Sequence, residues 1–115
     1  MYMYVVRPAE ISDADAVFVL ARDMAMSFVP ERSEFDNAFK DNLARDHVRV
    51  SVAEIGDEVV GYLLGVDHYT FYANGRVSWV EEVAVQPQLR RKGIGRALME
   101  DFERWARGRG SKLVA

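Results

Sequence analysis

The sequence contains no cysteine and only three prolines among its 115 residues. The absence of cysteine excludes disulfide bonds, thiolate zinc sites and a cysteine nucleophile, and it suits a reducing cytoplasm, which is the expected location. No apolar run approaches the length that a bilayer-spanning helix needs, and the first residues lack the features of a signal peptide, so no membrane association is expected. His47 and His68 have no partner at metal-ligand spacing, so no metal site is expected.

An excess of basic charge is also absent, since the formal net charge is −3. Proteins that bind nucleic acid generally need a basic surface, so nucleic acid is not an expected partner. Half of the residues are hydrophobic and 29% are charged, which is ordinary for a globular domain. A chain of this length can bury one core, so residues 1–115 are predicted to form a single domain.

The hydrophobic patterning and the turn signals predict eight elements in the order β-α-α-β-β-β-α-β. We predict strands over residues 2–6, 49–55, 59–66, 78–85 and 112–115, and helices over residues 16–24, 35–43 and 93–107. Turn signals lie at Gly56-Asp57 and at Asn74-Gly75, the second of them after an aromatic-rich segment, residues 69–72. This order predicts an α/β (α+β) fold whose middle strands are antiparallel, with helices packed on the sheet.

A basic loop with two glycines joins the predicted strand 78–85 to the long amphipathic helix. The first turn of a helix presents unpaired N–H groups and the positive end of a dipole. Glycine at positions 93 and 95 allows a ligand to approach the backbone closely, and Arg90, Arg91 and Lys92 add full positive charges. The loop is therefore suited to a phosphate or pyrophosphate, although neither of the two common phosphate-loop patterns is present.

Residues 90–95 resemble the coenzyme A signature of the GNAT superfamily of N-acetyltransferases: Arg or Gln, two residues of any type, Gly, any residue, then Gly or Ala. The superfamily places this signature after a strand that reads hydrophobic-x-Val-x-Pro, as residues 83–87 do. A helix that begins Gly-x-Ala-Leu-Met follows it, as residues 95–99 do, and Arg7-Pro8-Ala9 is also typical. The resemblance extends over essentially the whole chain, and it implies a mixed, mostly antiparallel sheet flanked by helices.

The resemblance implies that acetyl-CoA is the cosubstrate. The backbone of the strand end would pair with the pantetheine arm, and an N–H group near Val83 would polarise the thioester carbonyl. The N–H groups of residues 91–96 would hold the pyrophosphate, assisted by the side chains of Arg90 and Arg91. The implied cofactor-binding residues are Val83, Ala84, Val85, Arg90, Arg91, Lys92, Gly93, Ile94, Gly95 and Arg96.

The resemblance also implies direct transfer of an acetyl group to a primary amine, on a small molecule or a peptide, and this amine must first lose a proton. Strand alternation predicts two opposite faces, with Trp79, Glu81, Val83 and Val85 on one and Val80, Glu82 and Ala84 on the other. Bases in this family often project at positions matching 79 and 81, and Trp79 cannot serve. Glu81 is therefore the predicted catalytic residue, acting through water, whereas Glu82 is expected to be a surface charge.

Relatives in the family continue beyond the last predicted strand with a helix and two more strands, and that part usually carries a tyrosine that protonates the departing thiolate. The chain is therefore expected to lack the C-terminal part of the fold. It would be a fragment, a natural short form, or a form in which a second copy completes the exposed sheet edge as a homodimer.

Two other functions stay open at this point, a non-catalytic coenzyme A-binding or interaction domain and a binder of nucleotide phosphates unrelated to coenzyme A. The choice of acceptor would depend on the first two helices and on the aromatic-rich region 68–79. These segments contain no motif that identifies the acceptor.

Overall fold

A computed structural model describes residues 3–25 and 27–115, and its centre is one five-stranded sheet. The strands lie in the order of the chain: β1 (Val5–Pro8), β2 (Val48–Ile55), β3 (Glu58–Thr70), β4 (Gly75–Val85) and β5 (Leu113–Val114). Neighbouring strands are antiparallel except β4 and β5, which are parallel. The predicted fold class and element order are confirmed.

Three helices cover the two faces of the sheet: α1 (Ala14–Met24), α2 (Arg32–Leu43) and α3 (Ile94–Gly108). On one face, Leu20 of α1 and Phe39 of α2 pack against Val52 and Tyr62 in one buried cluster. On the other face, α3 packs in a second buried cluster with the opposite side of the same strands. No helix within the described part of the chain is long and apolar enough to cross a membrane.

The largest differences from the predicted strand boundaries lie in β1 and in the hairpin of β3 and β4. β3 and β4 extend beyond residues 59–66 and 78–85 into a long hairpin, because they pair as far as Thr70 and Gly75. The Thr70 hydroxyl closes the turn by accepting from the Ala73 N–H and donating to the Gly75 carbonyl. β1 continues through Pro8 instead of ending at residue 6, which the sheet tolerates because β1 is an edge strand. The predicted start of this strand at Tyr2 lies outside the described residues.

Helix α3 lies directly against the bare backbone of Gly65 in β3. A Cβ atom on Gly65 would overlap the ring of Phe102, which is fully buried. Gly65 pairs with Val80 of β4, so this close approach also fixes the distance between α3 and the strand that leads to the basic loop.

We expect Gly65→Ala to lower the free energy of unfolding by about 1–3 kcal/mol, because the added methyl group overpacks a filled core. Urea denaturation with a fluorescence readout measures this change. The matched control is Gly108→Ala, where an added Cβ would have no neighbouring atom within 4 Å. That variant should be neutral or more stable by about 0.5–1 kcal/mol, since alanine is the better helix former. Equal midpoints for Gly65→Ala and the unaltered protein would contradict this packing.

Candidate functional site

The basic loop between β4 and α3 is anchored at both ends by buried side chains. A short turn, Pro87–Leu89, follows β4, and Leu89 is buried. Ile94, the first residue of α3, is only 1% exposed. Between them the backbone takes left-handed conformations at Arg91, with φ of 63°, and at Gly93, with φ of 89°. The loop is thus an ordered bend that brings the end of β4 next to the start of α3.

The start of α3 presents backbone N–H groups that make no hydrogen bond within the helix. Gly93 is the N-cap of α3, and it has no side chain that could accept hydrogen bonds from the first turn. The Gly93 carbonyl accepts a hydrogen bond from the Ala97 N–H at 3.0 Å. The N–H groups of the first turn, at Ile94, Gly95 and Arg96, therefore lack intrahelical acceptors. The side chains of Arg90, Arg91, Lys92 and Arg96 are exposed around this positive helix end. The arrangement favours a bound anion.

The outer edge of β4 continues directly into this helix end. The Gln86 N–H donates to the Val60 carbonyl of β3 at 2.9 Å, so by strand alternation the backbone groups of Val85 and Val83 face the opposite edge. On that edge β5 pairs with Val77 and Ser78. Among the described strands, none pairs with residues 81–85 there. An extended ligand could add to this edge as a further strand.

The predicted cofactor-binding residues therefore lie along one continuous path, from the end of β4 to the first turn of α3. Two of them, Ala84 at 8% and Ile94 at 1% exposure, have buried side chains, so only their backbone groups can contact a ligand. Arg90 lies close to the strand end, where its Nε donates to the Val85 carbonyl at 3.3 Å. The binding roles of all these residues stay predictions.

A β-bulge interrupts β4 at Glu81. Leu64 of β3 pairs with Glu82 and Gly65 pairs with Val80, which leaves Glu81 as an extra residue without a partner in the ladder. Because of this insertion, Val80 packs in the α3-side cluster with Val85, whereas Ala84 belongs to the opposite cluster. The predicted alternation, which placed Val80 on the same face as Glu82 and Ala84, is therefore wrong.

The bulge gives the two neighbouring carboxylates different surroundings. Glu81 is exposed, and its Oε1 accepts a hydrogen bond from the Trp79 indole N–H at 2.8 Å. Glu82 is half-buried, and its Oε1 accepts a hydrogen bond from the Tyr62 hydroxyl at 2.6 Å. Burial and this contact with Glu82 raise the pKa of the Tyr62 hydroxyl far above its usual range. Tyr62 thus remains protonated and acts as a fixed donor to the Glu82 carboxylate.

Glu82 also lines a cavity of about 470 Å³ between α2, the end of α1 and the sheet. The expectation that Glu82 is a surface charge is therefore wrong, and Glu82 and Tyr62 are candidate site residues that the sequence did not indicate. Glu81 is not among the residues that line this cavity. Residues of α1 and α2 line this cavity, whereas none of residues 68–79 does. Within residues 3–25 and 27–115, no three His, Asp or Glu side chains are grouped as metal ligands.

Comparison with protein families identifies the chain. The model described as "Acetyltransferase (GNAT) family" matches residues 15–115. The chain belongs to the GNAT family. An uncharacterised N-acetyltransferase of Archaeoglobus fulgidus is 34% identical to this GNAT chain over 84 residues, which cover 72% of the chain and 57% of the relative. The match thus spans little more than half the length of this relative.

Solved structures share the GNAT fold of the chain. An integron cassette protein from the mobile metagenome of Cole Harbour Salt Marsh has a TM-score of 0.88 at 25% identity, covering 95% of this chain and 74% of that protein. An aminoglycoside N-acetyltransferase in complex with CoA has a TM-score of 0.87 at 17% identity, covering 100% of this chain and 76% of that enzyme.

Proposed function

We propose that this GNAT chain transfers an acetyl group from acetyl-CoA to a primary amine by direct attack. The observation that carries the proposal is the open outer edge of β4, which runs beyond the Glu81 bulge into the cationic start of α3. An extended thioester arm and a diphosphate need these two features in this order. The aminoglycoside N-acetyltransferase of the same fold is a complex with CoA, which supports the choice of donor.

The donor would bind through backbone groups. The pantetheine arm pairs with Val83 and Val85, and the N–H groups of residues 91–96 hold the diphosphate with help from the Arg90 and Arg91 side chains. Room for this contact exists at Gly95, where the nearest atom to an added Cβ would be a Val85 methyl group at 3.9 Å. The Val83 N–H donates to the thioester oxygen and stabilises the negative charge that develops there.

The acceptor would bind in the cavity that Glu82 lines. A carboxylate first takes one proton from the ammonium group. The neutral amine nitrogen then attacks the thioester carbon, the C–S bond breaks, and the coenzyme thiolate takes up the second amine proton as it leaves. We favour Glu82 as this base because it lines the cavity and because the Tyr62 hydroxyl holds its carboxylate in place. Glu81, one residue away on the bulge, is the second proposed base, and acting through water it would need no direct contact with the cavity.

A thioester-consumption assay over a library of amines tests the proposal. We expect release of free coenzyme A thiol from acetyl-CoA that depends on the added amine. Calorimetric titration with acetyl-CoA and with ATP accompanies the assay, and we expect tighter binding of acetyl-CoA. Binding of coenzyme A without turnover on any amine would contradict an enzymatic role, and a preference for ATP would contradict the choice of donor.

A further inference from the structure

We propose that the acceptor is a small primary amine with an uncharged, apolar body, bound in the cavity between α2 and the sheet. The inference rests on the proposed function for the acetyl transfer itself. The choice of amine rests on the chemistry of the cavity walls.

The body of the cavity is apolar on both sides. Phe35 and Phe39 of α2 lie on one side, with their rings stacked at a centroid distance of 5.4 Å. Val50 and Leu64 of the sheet lie on the other side, and Met24 lies at the end of α1. Such walls bind alkyl and aryl groups through the hydrophobic effect. They offer few partners to hydroxyl or amino groups of a ligand, which would lose their hydrogen bonds to water on entry.

The charged groups that line the cavity are all carboxylates: Glu82 of β4, and Glu31 and Glu34 at the start of α2. No lysine, arginine or histidine is among the lining residues in the described part of the chain. The Glu31 side chain is fixed as the N-cap, since it accepts from the backbone N–H groups of Ser33 and Glu34. The hydrogen bond from the Ser33 hydroxyl, together with these backbone bonds, lowers the pKa of Glu31. The charge pattern therefore matches a cationic ligand.

Position distinguishes the carboxylates. Glu31, the N-cap of α2, and Glu34 in its first turn are exposed, and we call these two residues the rim of the cavity, whereas Glu82 is half-buried next to the buried Tyr62. An ammonium group that passes the rim therefore reaches Glu82 as its inner counter-charge, and the rest of the ligand lies against the phenylalanine rings. A cavity of about 470 Å³ falls within the usual size range for small-molecule ligands.

Isothermal titration with chosen probes tests the inference, with and without coenzyme A. The probes are 2-phenylethylamine, its neutral analogue 2-phenylethanol, the polar amines glucosamine and spermidine, and a short peptide with a free N-terminus. We expect 2-phenylethylamine to bind at least about tenfold more tightly than each of the others, since one well-placed apolar or charged group gives discrimination of this size. Tighter binding of glucosamine, spermidine or the peptide overturns the proposal, as does equal binding of 2-phenylethanol.

A matched pair of variants locates the binding site. Ala38 lines the cavity from an exposed position on α2, so Ala38→Phe fills the cavity without disturbing the core. The neighbouring Asn37 is exposed and does not line the cavity, so Asn37→Phe adds the same side chain elsewhere. We expect the Kd of 2-phenylethylamine to rise about tenfold in Ala38→Phe and to stay unchanged in Asn37→Phe. The same Kd in both variants places the ligand elsewhere and overturns the proposal.

The binding and thioester-consumption measurements together distinguish the proposed apolar acceptor from the proposed acetyl transfer. Selective binding of 2-phenylethylamine without any thioester consumption supports the cavity assignment and contradicts the transfer. Acetyl transfer that is faster with glucosamine or spermidine supports the transfer and contradicts the apolar acceptor.

Discussion

Glu82→Gln is expected to lower kcat by about 100-fold or more, within the usual range of about 10²–10⁴-fold for general-base assistance. Glutamine keeps the size of the side chain and can still accept the Tyr62 hydrogen bond, but it cannot take a proton from the amine. Because Glu82 lies away from the basic loop, the Kd of coenzyme A should not change. Steady-state thioester consumption gives kcat, and calorimetry gives the Kd.

Glu81→Gln is the matched control, since it removes the same charge from the adjacent position. We expect it to lower kcat by less than about tenfold, because the Glu81 carboxylate is exposed and bonded to Trp79 and does not line the cavity. A large loss in Glu81→Gln together with a small loss in Glu82→Gln would contradict our assignment of the base. It would instead support Glu81, the base that the family resemblance and strand alternation together predict.

Gly95→Ala is expected to raise the Kd of coenzyme A by about 10- to 100-fold, because the added methyl group would overlap the bound diphosphate. In the protein alone the added Cβ would lie 3.9 Å from the nearest atom, which is an ordinary contact. The helix itself should tolerate alanine or gain slightly from it. A loss of affinity would therefore report the approach of the ligand to the backbone. Calorimetry measures the affinity, and urea denaturation confirms that the fold is intact.

Gly108→Ala makes the same change at the last residue of α3, far along the helix from the basic loop. Its coenzyme affinity should equal that of the unaltered protein. If both alanine variants bind coenzyme A as tightly as the unaltered protein, the ligand does not contact the backbone at Gly95, and the proposed diphosphate position is wrong.

The sequence predicts most of the fold because the relevant signals are local. The apolar stripe of α3, the glycines at its start and the alternation in β2 each act within a few residues. The basic loop can be predicted for the same reason, since Arg90, Gly93 and Gly95 lie close together in the sequence. The length of the hairpin is underestimated, because it depends on pairing between β3 and β4. The residue pattern of either strand alone does not show this pairing.

The acceptor cavity depends on contacts that are distant in the sequence. The bulge at Glu81 changes the faces of β4, yet it leaves no mark in the residue pattern, because it is defined by the register against Leu64 and Gly65. The hydrogen bond between Tyr62 and Glu82 joins residues that are 20 positions apart. The family resemblance and strand alternation together predict Glu81 as the base, whereas the position of Glu82 against the cavity depends on how α2 and Tyr62 pack on the sheet.

The crystal structure of the chain with bound coenzyme A is the most direct measurement of where the diphosphate lies. We predict diphosphate oxygens within hydrogen-bonding distance of the backbone N–H groups of residues 91–96, and the pantetheine arm along the outer edge of β4 at Val83 and Val85. A diphosphate bound away from the start of α3, or a coenzyme that binds without contact to β4, would contradict this prediction.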